Sequence, residues 1–237
     1  MITRFSLFLL IAFSVCFLTT KLNKLTTVGS VVGFLIALSI FTAFGFSGLF
    51  ILGVFFLIAT LATSWNKRTK KVGIPLADQS TQRDAMQVVA NGGITAIIAL
   101  LSIAYPLHDK LFLIMMTASL SSATADTISS ELGTIYGSRF FNILTFKPDL
   151  KGENGVVSFE GLLFGIAGSI FIAIAFSIGF GLDFRFLIII MAGTIGNLTD
   201  SVLGATLERS NHLGNNQVNF LNTLIAALSI LLFFPYI

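Results

Sequence analysis

The sequence predicts an all-α, polytopic membrane bundle of about seven or eight helices. Three observations carry this. First, the 237 residues are 55% hydrophobic and only 11% charged, with a mean hydropathy of +0.93, whereas a soluble domain has about 25% charged residues. Second, long stretches carry no charge at all, and Leu25 to Asn66 is one of them. Third, the charges that do occur separate apolar runs of about the 20 residues that a helical span needs. The whole chain, 1–237, reads as one integral-membrane domain with no room for a separate soluble one.

The candidate spans run roughly over 4–20, 26–43, 47–65, 86–106, 111–130, 158–181, 184–205 and 217–236. The first has a single Arg and no small-x-small cleavage site, so it reads as a retained helix rather than a signal. It also contains Cys16, the lone cysteine, which excludes an intramolecular disulfide and a cysteine metal cluster. The uncharged stretch after it is too long for one span and breaks at Gly45-Phe-Ser-Gly48. The spans at 111–130 and 184–205 each end in an acidic motif, where a helix lining a cavity can be broken or solvated. Between spans, the segment from Asn66 to Asp84 is polar and basic. The segment from Phe146 to Gly161 is rich in turn residues, with Gly152 and Gly155 free to take conformations closed to other residues.

Lysine and arginine set the orientation. With eight spans, 11 of the 14 cations fall in the loops after spans 1, 3, 5 and 7, and only Arg4, Lys110 and Arg185 fall opposite. The basic loops, and the acidic motifs beside them, are therefore expected on the cytoplasmic side with both termini outside. The net charge of +3 is spread through loops, so no nucleic-acid partner is expected.

The acidic motifs are Ser121-Ser-Ala-Thr-Ala-Asp-Thr-Ile-Ser-Ser-Glu-Leu-Gly133 and Gly193-Thr-Ile-Gly-Asn-Leu-Thr-Asp-Ser-Val-Leu-Gly-Ala-Thr-Leu-Glu208. An ionised carboxylate near hydrocarbon costs several kcal/mol and persists only beside a partner, a cavity or a metal. Asp126 and Asp200 are thus the first candidates, with Glu131 and Glu208 next. Asp126 and Glu131 point about 140° apart on a regular helix, so they face one ion only if the helix breaks. Asn197 lies one turn before Asp200. Glu208 reads equally well as an interfacial charge beside Arg209. In Gln87-Val-Val-Ala-Asn-Gly-Gly93, Gly92 and Gly93 suit tight helix packing. Next to Arg83 and Gln87, a phosphate-facing role for them and for Asn91 competes with that reading. The two histidines, His108 and His212, read as ordinary loop residues.

No Walker A, GxGxxG, HExxH or GxSxG pattern is present, which removes P-loop, Rossmann, zincin and α/β-hydrolase chemistry. Carboxylates with basic loops suit phosphoryl transfer, where positioning and charge neutralisation do most of the catalysis. One or two acids plus substrate phosphates are the usual ligands of Mg²⁺. An acceptor that is already a phosphate monoester ionises near pH 6 and needs no general base.

With these motifs in view, the chain resembles the integral-membrane family that contains plant phytyl-phosphate kinase and vertebrate transmembrane protein 19. The matching elements are Gln87 to Gly93; Ala125-Asp-Thr-Ile-Ser-Ser-Glu-Leu-Gly133; Gly152-Glu-Asn-Gly-Val-Val-Ser-Phe-Glu-Gly161; Gly196-Asn-Leu-Thr-Asp-Ser-Val-Leu-Gly-Ala205; and Asn215-Asn-Gln-Val-Asn-Phe-Leu221. They occur in family order from about residue 25 onward. The glycine element departs from the family, with Asn154-Gly-Val-Val-Ser158 where Gly-Gly-Val-Ser is common. The resemblance implies a kinase that converts a prenyl monophosphate to the diphosphate with a nucleoside triphosphate, CTP being expected, and Mg²⁺. On this reading Asp126, Glu131 and Asp200 hold the metal. Arg83, Lys147 and Lys151 neutralise phosphate, and Asn91, Gly92, Gly93 and Asn197 shape the cradle. The prenyl chain lies between helices or among the membrane lipids, with its phosphate head group at the cytoplasmic surface. Two rival readings are an ion-coupled transporter and a cytidylyltransferase making a CDP-activated lipid.

The charge bias makes a direct prediction about sidedness. With Cys16 replaced, a cysteine at Ser47 should react with an impermeant reagent from outside, and one at Asn66 from the cytoplasm. Labelling of position 47 only from the cytoplasmic side would reverse the topology.

Overall fold

The structure is a computed structural model that describes residues 2–65 and 82–236. The basic residues Lys67, Arg68, Lys70 and Lys71 lie outside the described residues. The helices are α1 (Ile2–Lys21), α2 (Thr27–Ser64), α3 (Ala85–Ala104), α4 (Asp109–Tyr136), α5 (Phe159–Phe180), α6 (Arg185–Leu203) and α7 (Asn215–Ser229). Seven helices among the described residues are long and apolar enough to cross a membrane.

The second of these makes two passes. A straight helix of 38 residues would be about 57 Å long. Yet Lys24 Nζ, just before it, donates to Ser64 Oγ at its end, at 2.8 Å. The reversal is at Gly45, whose φ of 64° and ψ of −152° are not helical and suit glycine. The turn expected at Gly45–Gly48 is therefore present, and the bundle has eight passes.

Small residues decide the packing. The most apolar stretch of α4 is 83% buried, against 17–44% in the other six helices, and α4 touches α2, α3, α5, α6 and α7. Between lipid-embedded helices there is little hydrophobic drive, so close backbone approach does the work. On α5, Gly161, Gly165 and Gly168 supply it. A Cβ on Gly133 of α4 would stand 2.7 Å from the Gly161 Cα, and one on Gly168 would stand 3.2 Å from the Ala125 Cα. On α6, Gly193 and Gly196 leave room for the side chains of Ser121 and Ser122.

Two predicted details change. The span at 111–130 is not broken at its acidic motif. It continues as regular helix through Glu131 to Tyr136, and within it the hydroxyls of Thr127 and Thr134 donate back to the carbonyls of Ala123 and Ser130. The loop before α5 is also more ordered than a chain of turns. Strand β1 (Phe140–Asn142) pairs antiparallel with β2 (Val156–Ser158), Phe141 opposite Val157. The α6 span does end irregularly, in a π-helical turn over Gly204–Glu208.

Gly133→Val should lower the unfolding temperature in detergent, at a cost of about 1–3 kcal/mol typical of overpacking. Gly181→Ala, in the turn after α5, should cost less because nothing lies within 4 Å of an added Cβ there, leaving only the strain of its positive φ. Equal losses in both variants would contradict the close α4–α5 crossing.

Candidate functional site at one end of the bundle

The chain reverses at each pass, so the ends of α4 and α6 meet the starts of α2, α3, α5 and α7 at one end of the bundle. A polar cavity of about 630 Å³ lies there, lined by Asp126, Glu131, Asp200, Arg83, Asn91 and Asn197, and by Gln87, Glu208, Asn215 and Asn219.

Local sequence explains how each side chain is held. Residue Arg83 is fixed by its backbone: its N–H donates to Lys24 O at 3.0 Å and its carbonyl accepts from Thr26 N at 3.1 Å. The next residue, Asp84, caps α3 in a reciprocal box with Gln87. This aims the Arg83 guanidinium inward, where it donates to Thr63 Oγ1 at 3.0 Å and Ala59 O at 3.4 Å. Burial pushes the Arg83 pKa down, and the carboxylates of Glu131 and then Asp126 oppose that shift. Asp126 comes from α4 and Asp200 from α6. The close α4–α6 contact sets their carboxyl groups within hydrogen-bonding reach of each other. Behind them, Asn222 of α7 donates to Asp200 Oδ1 at 2.7 Å and accepts from Ser122 Oγ at 3.0 Å. Nearby Asn197 is buried, and its amide occupies the space left by Gly165.

The β1–β2 segment forms one wall. Gly155, at φ 73°, lies so close to Ala205 that no Cβ fits. Arg209 donates to both oxygens of Asp149, at 2.5 and 3.3 Å, which ties the loop to the end of α6. Those bonds, helped by the Leu150 N–H, hold the Asp149 carboxyl down to about 2.

The structure does not bring all the expected residues together. Gly92 and Gly93 face away from the cavity. A Cβ on Gly92 would meet Ile36 at 2.9 Å, and one on Gly93 would meet Val89 at 3.3 Å and Phe220 at 3.4 Å, so both are packing glycines. Lys147 and Lys151 are exposed on the loop and do not line the cavity. Lys151 Nζ instead lies 5.6 Å from the centre of the Phe140 ring. The expected three-acid metal set also separates. Asp126 pairs with Asp200, and Glu131 stands off beside Arg83. No group of three or more His, Cys, Asp or Glu side chains able to hold a metal ion occurs among the described residues. The sequence reading missed Asn222. Its signal was available: Asn215, Asn219 and Asn222 repeat at four and then three residues, one face of a helix.

Residues 10–227 match the family model described as integral membrane protein DUF92. The chain belongs to this integral-membrane family. The chain is similar to an uncharacterized membrane protein of Methanocaldococcus jannaschii, 34% identical over 78% of this chain and 75% of the relative. It is similar to two proteins of Arabidopsis thaliana. Protein VTE6, chloroplastic, is 28% identical over 90% of this chain and 66% of its own length. Protein PGR is 31% identical over 83% and 76%. No solved structure matches the DUF92 chain.

The Asp149–Arg209 tie gives a pH prediction. Because the folded carboxyl is held below its ordinary value near 4, the stability it adds is complete above that value and is lost as pH falls through about 2. Wild-type loop 143–155 should therefore resist limited proteolysis unchanged from pH 7 to pH 5, and Arg209→Ala should be cut faster across that range. Equal cleavage of the two at pH 7 would show that the tie does not hold the loop.

Proposed function

We propose that the protein is a membrane phosphotransferase that phosphorylates a prenyl monophosphate at the expense of a nucleoside triphosphate, with CTP the expected donor. The observation that carries this reading is the pair of carboxyl groups, Asp126 and Asp200, on the wall of a polar cavity that Arg83 also lines. The resemblance to the phytyl-phosphate kinase family supports it, as does the similarity to VTE6.

The donor set suits Mg²⁺. Two carboxyl groups in hydrogen-bond contact need a proton or a cation between them. Mg²⁺ typically takes one or two carboxylates and completes its shell with water and phosphate oxygens. Asp126 and Asp200 would hold it. Bound there, the ion would supply charge neutralisation for the transferring phosphoryl group.

The chain's own residues do the rest. Asn222 fixes the rotamer of Asp200 through its 2.7 Å bond. The Arg83 guanidinium, already oriented by Thr63 and Ala59, presents its remaining N–H groups to phosphate oxygens. Glu131 balances that cation. An oxygen of the prenyl monophosphate attacks the γ-phosphorus, the bond to the β-phosphate oxygen breaks, and the nucleoside diphosphate leaves. The attacking oxygen is ionised at neutral pH, so no proton need be removed. The basic-loop bias supports a cytoplasmic location for this end of the bundle, where nucleotides are available.

Purified protein given Mg²⁺, CTP and geranylgeranyl phosphate should form the diphosphate and CDP, and EDTA should stop it. The free prenyl alcohol should be a poor acceptor. Asp126→Asn and Asp200→Asn should each lower turnover by at least about 10²-fold while the protein still inserts and folds. Release of diphosphate with a CDP-lipid product would instead indicate a cytidylyltransferase. Absence of nucleotide turnover with any prenyl phosphate would favour transport.

A further inference from the structure

A second cavity, of about 430 Å³, lies between α1, both halves of α2 and the start of α3. Its walls are almost wholly apolar. At its polar end it shares Arg83, Gln87 and Asn91 with the carboxylate cavity, so the two meet along one seam. Away from the seam it reaches Ala37 on the first half of α2, Leu49 on the second and Ile11 on α1. From Ser30 to Ala37 this is a descent of about 10 Å at the helical rise. The depth is kept open by glycine. An added Cβ on Gly33 would meet only Val88, at 4.0 Å, and one on Gly53 would meet nothing within 4 Å.

The outer wall is α1, which packs on α2. It is fastened near the polar end by Thr19 and Thr20, whose hydroxyls lie 3.3 and 2.9 Å from Ser30 Oγ. At the other end it is fastened by Phe8, stacked 4.4 Å from Phe41. Between these points Val15 and Leu18, which line the cavity, are also half exposed at the outer surface of the bundle.

We propose that this cavity holds the hydrocarbon tail of the substrate, with its phosphate at Arg83, Gln87 and Asn91, and that it sets which chain lengths are accepted. The proposal rests on the prenyl-phosphate reading above. An apolar chamber that opens onto a phosphate-sized polar one, with a cation at the seam, fits an amphiphile with one anionic head. Its volume is in the range of small-molecule sites. A nucleotide has no apolar part to fill it, and a two-chained membrane lipid would need twice the width. The half-exposed wall at α1 gives the tail a sideways route from the bilayer.

The test uses full-length protein and a geranylgeranyl phosphate carrying a photoreactive diazirine at the tail end. Label should appear on the segments around 11–19, 30–37 and 49–56. Gly33→Leu and Gly53→Leu, which fill the chamber without a backbone clash, should each cut it by roughly tenfold or more. Leu57→Phe, on the 58% exposed outer face, should leave it unchanged. The turnover ratio of geranylgeranyl to dimethylallyl phosphate should fall in the same two variants. Label confined to outer faces and indifferent to the glycine variants would overturn the tail site. So would equal labelling by a phosphatidic acid with a diazirine in its acyl chain. Normal turnover with an unchanged chain-length ratio would overturn the tail site and leave the kinase reading standing. Chamber labelling without any turnover would do the reverse.

Discussion

Everything at the functional end of this bundle depends on how closely α4 is approached by α5 and α6. Gly161 and Gly168 let α5 lie against the α4 backbone, Gly165 makes room for the Asn197 amide of α6, and Gly193 and Gly196 let α6 seat over the side chains of Ser121 and Ser122. A methyl group on Gly133 would stand 2.7 Å from the Gly161 Cα, and one on Gly193 or Gly196 would displace the serine side chain it faces. The carboxyl groups of Asp126 and Asp200, one from each of α4 and α6, would then lose contact. The glycines and serines that look unremarkable in an apolar sequence are therefore what builds a two-carboxylate site.

Carboxylates are costly at membrane depth, and the fold offsets that cost in specific ways. It sets both against a polar cavity, Asp200 in the last turn of α6 and Asp126 within α4, ten residues before its end. It supplies Asn222 to one of them, and Arg83 to the neighbourhood of Glu131. A half-buried arginine is itself costly, and it is held by a backbone bridge to the residues before α2 and by the carbonyl and hydroxyl of Ala59 and Thr63. The polar network thus draws on α2, α3, α4, α6 and α7. This is why residues far apart in sequence carry one piece of chemistry.

Much of the architecture was legible in the sequence, because membrane spans follow from length and apolarity alone. The turn at Gly45 was legible too, because 42 uncharged residues cannot form one span. Asp126 and Asp200 stood out as acids in apolar surroundings, and Arg83 as a cation beside the Gln87–Gly93 motif. What could not be read was which way small residues face. Gly92 and Gly93 follow Asn91 in a motif that suits a phosphate loop, yet they lie inside α3, where Ile36 and Phe220 occupy the space a side chain would fill. Lys147 and Lys151 were placed by charge alone. The β1–β2 pairing turns that stretch outward, and three-residue strands leave too short an alternation to detect. Of the two forms open to the acidic end of α4, broken or solvated, the helix stays regular and its acids line the polar cavity.

The central claim is that Asp126 and Asp200 act as one unit in binding a divalent cation with nucleotide. The most direct test is a double-mutant cycle read by Mn²⁺ electron paramagnetic resonance, with CTP present, on wild type, Asp126→Asn, Asp200→Asn and the double variant. Groups that share one ion are strongly non-additive. The account predicts that each single variant abolishes the site and that the double variant loses nothing further. Two partial losses that add in the double variant, or a site that survives it, would contradict the account.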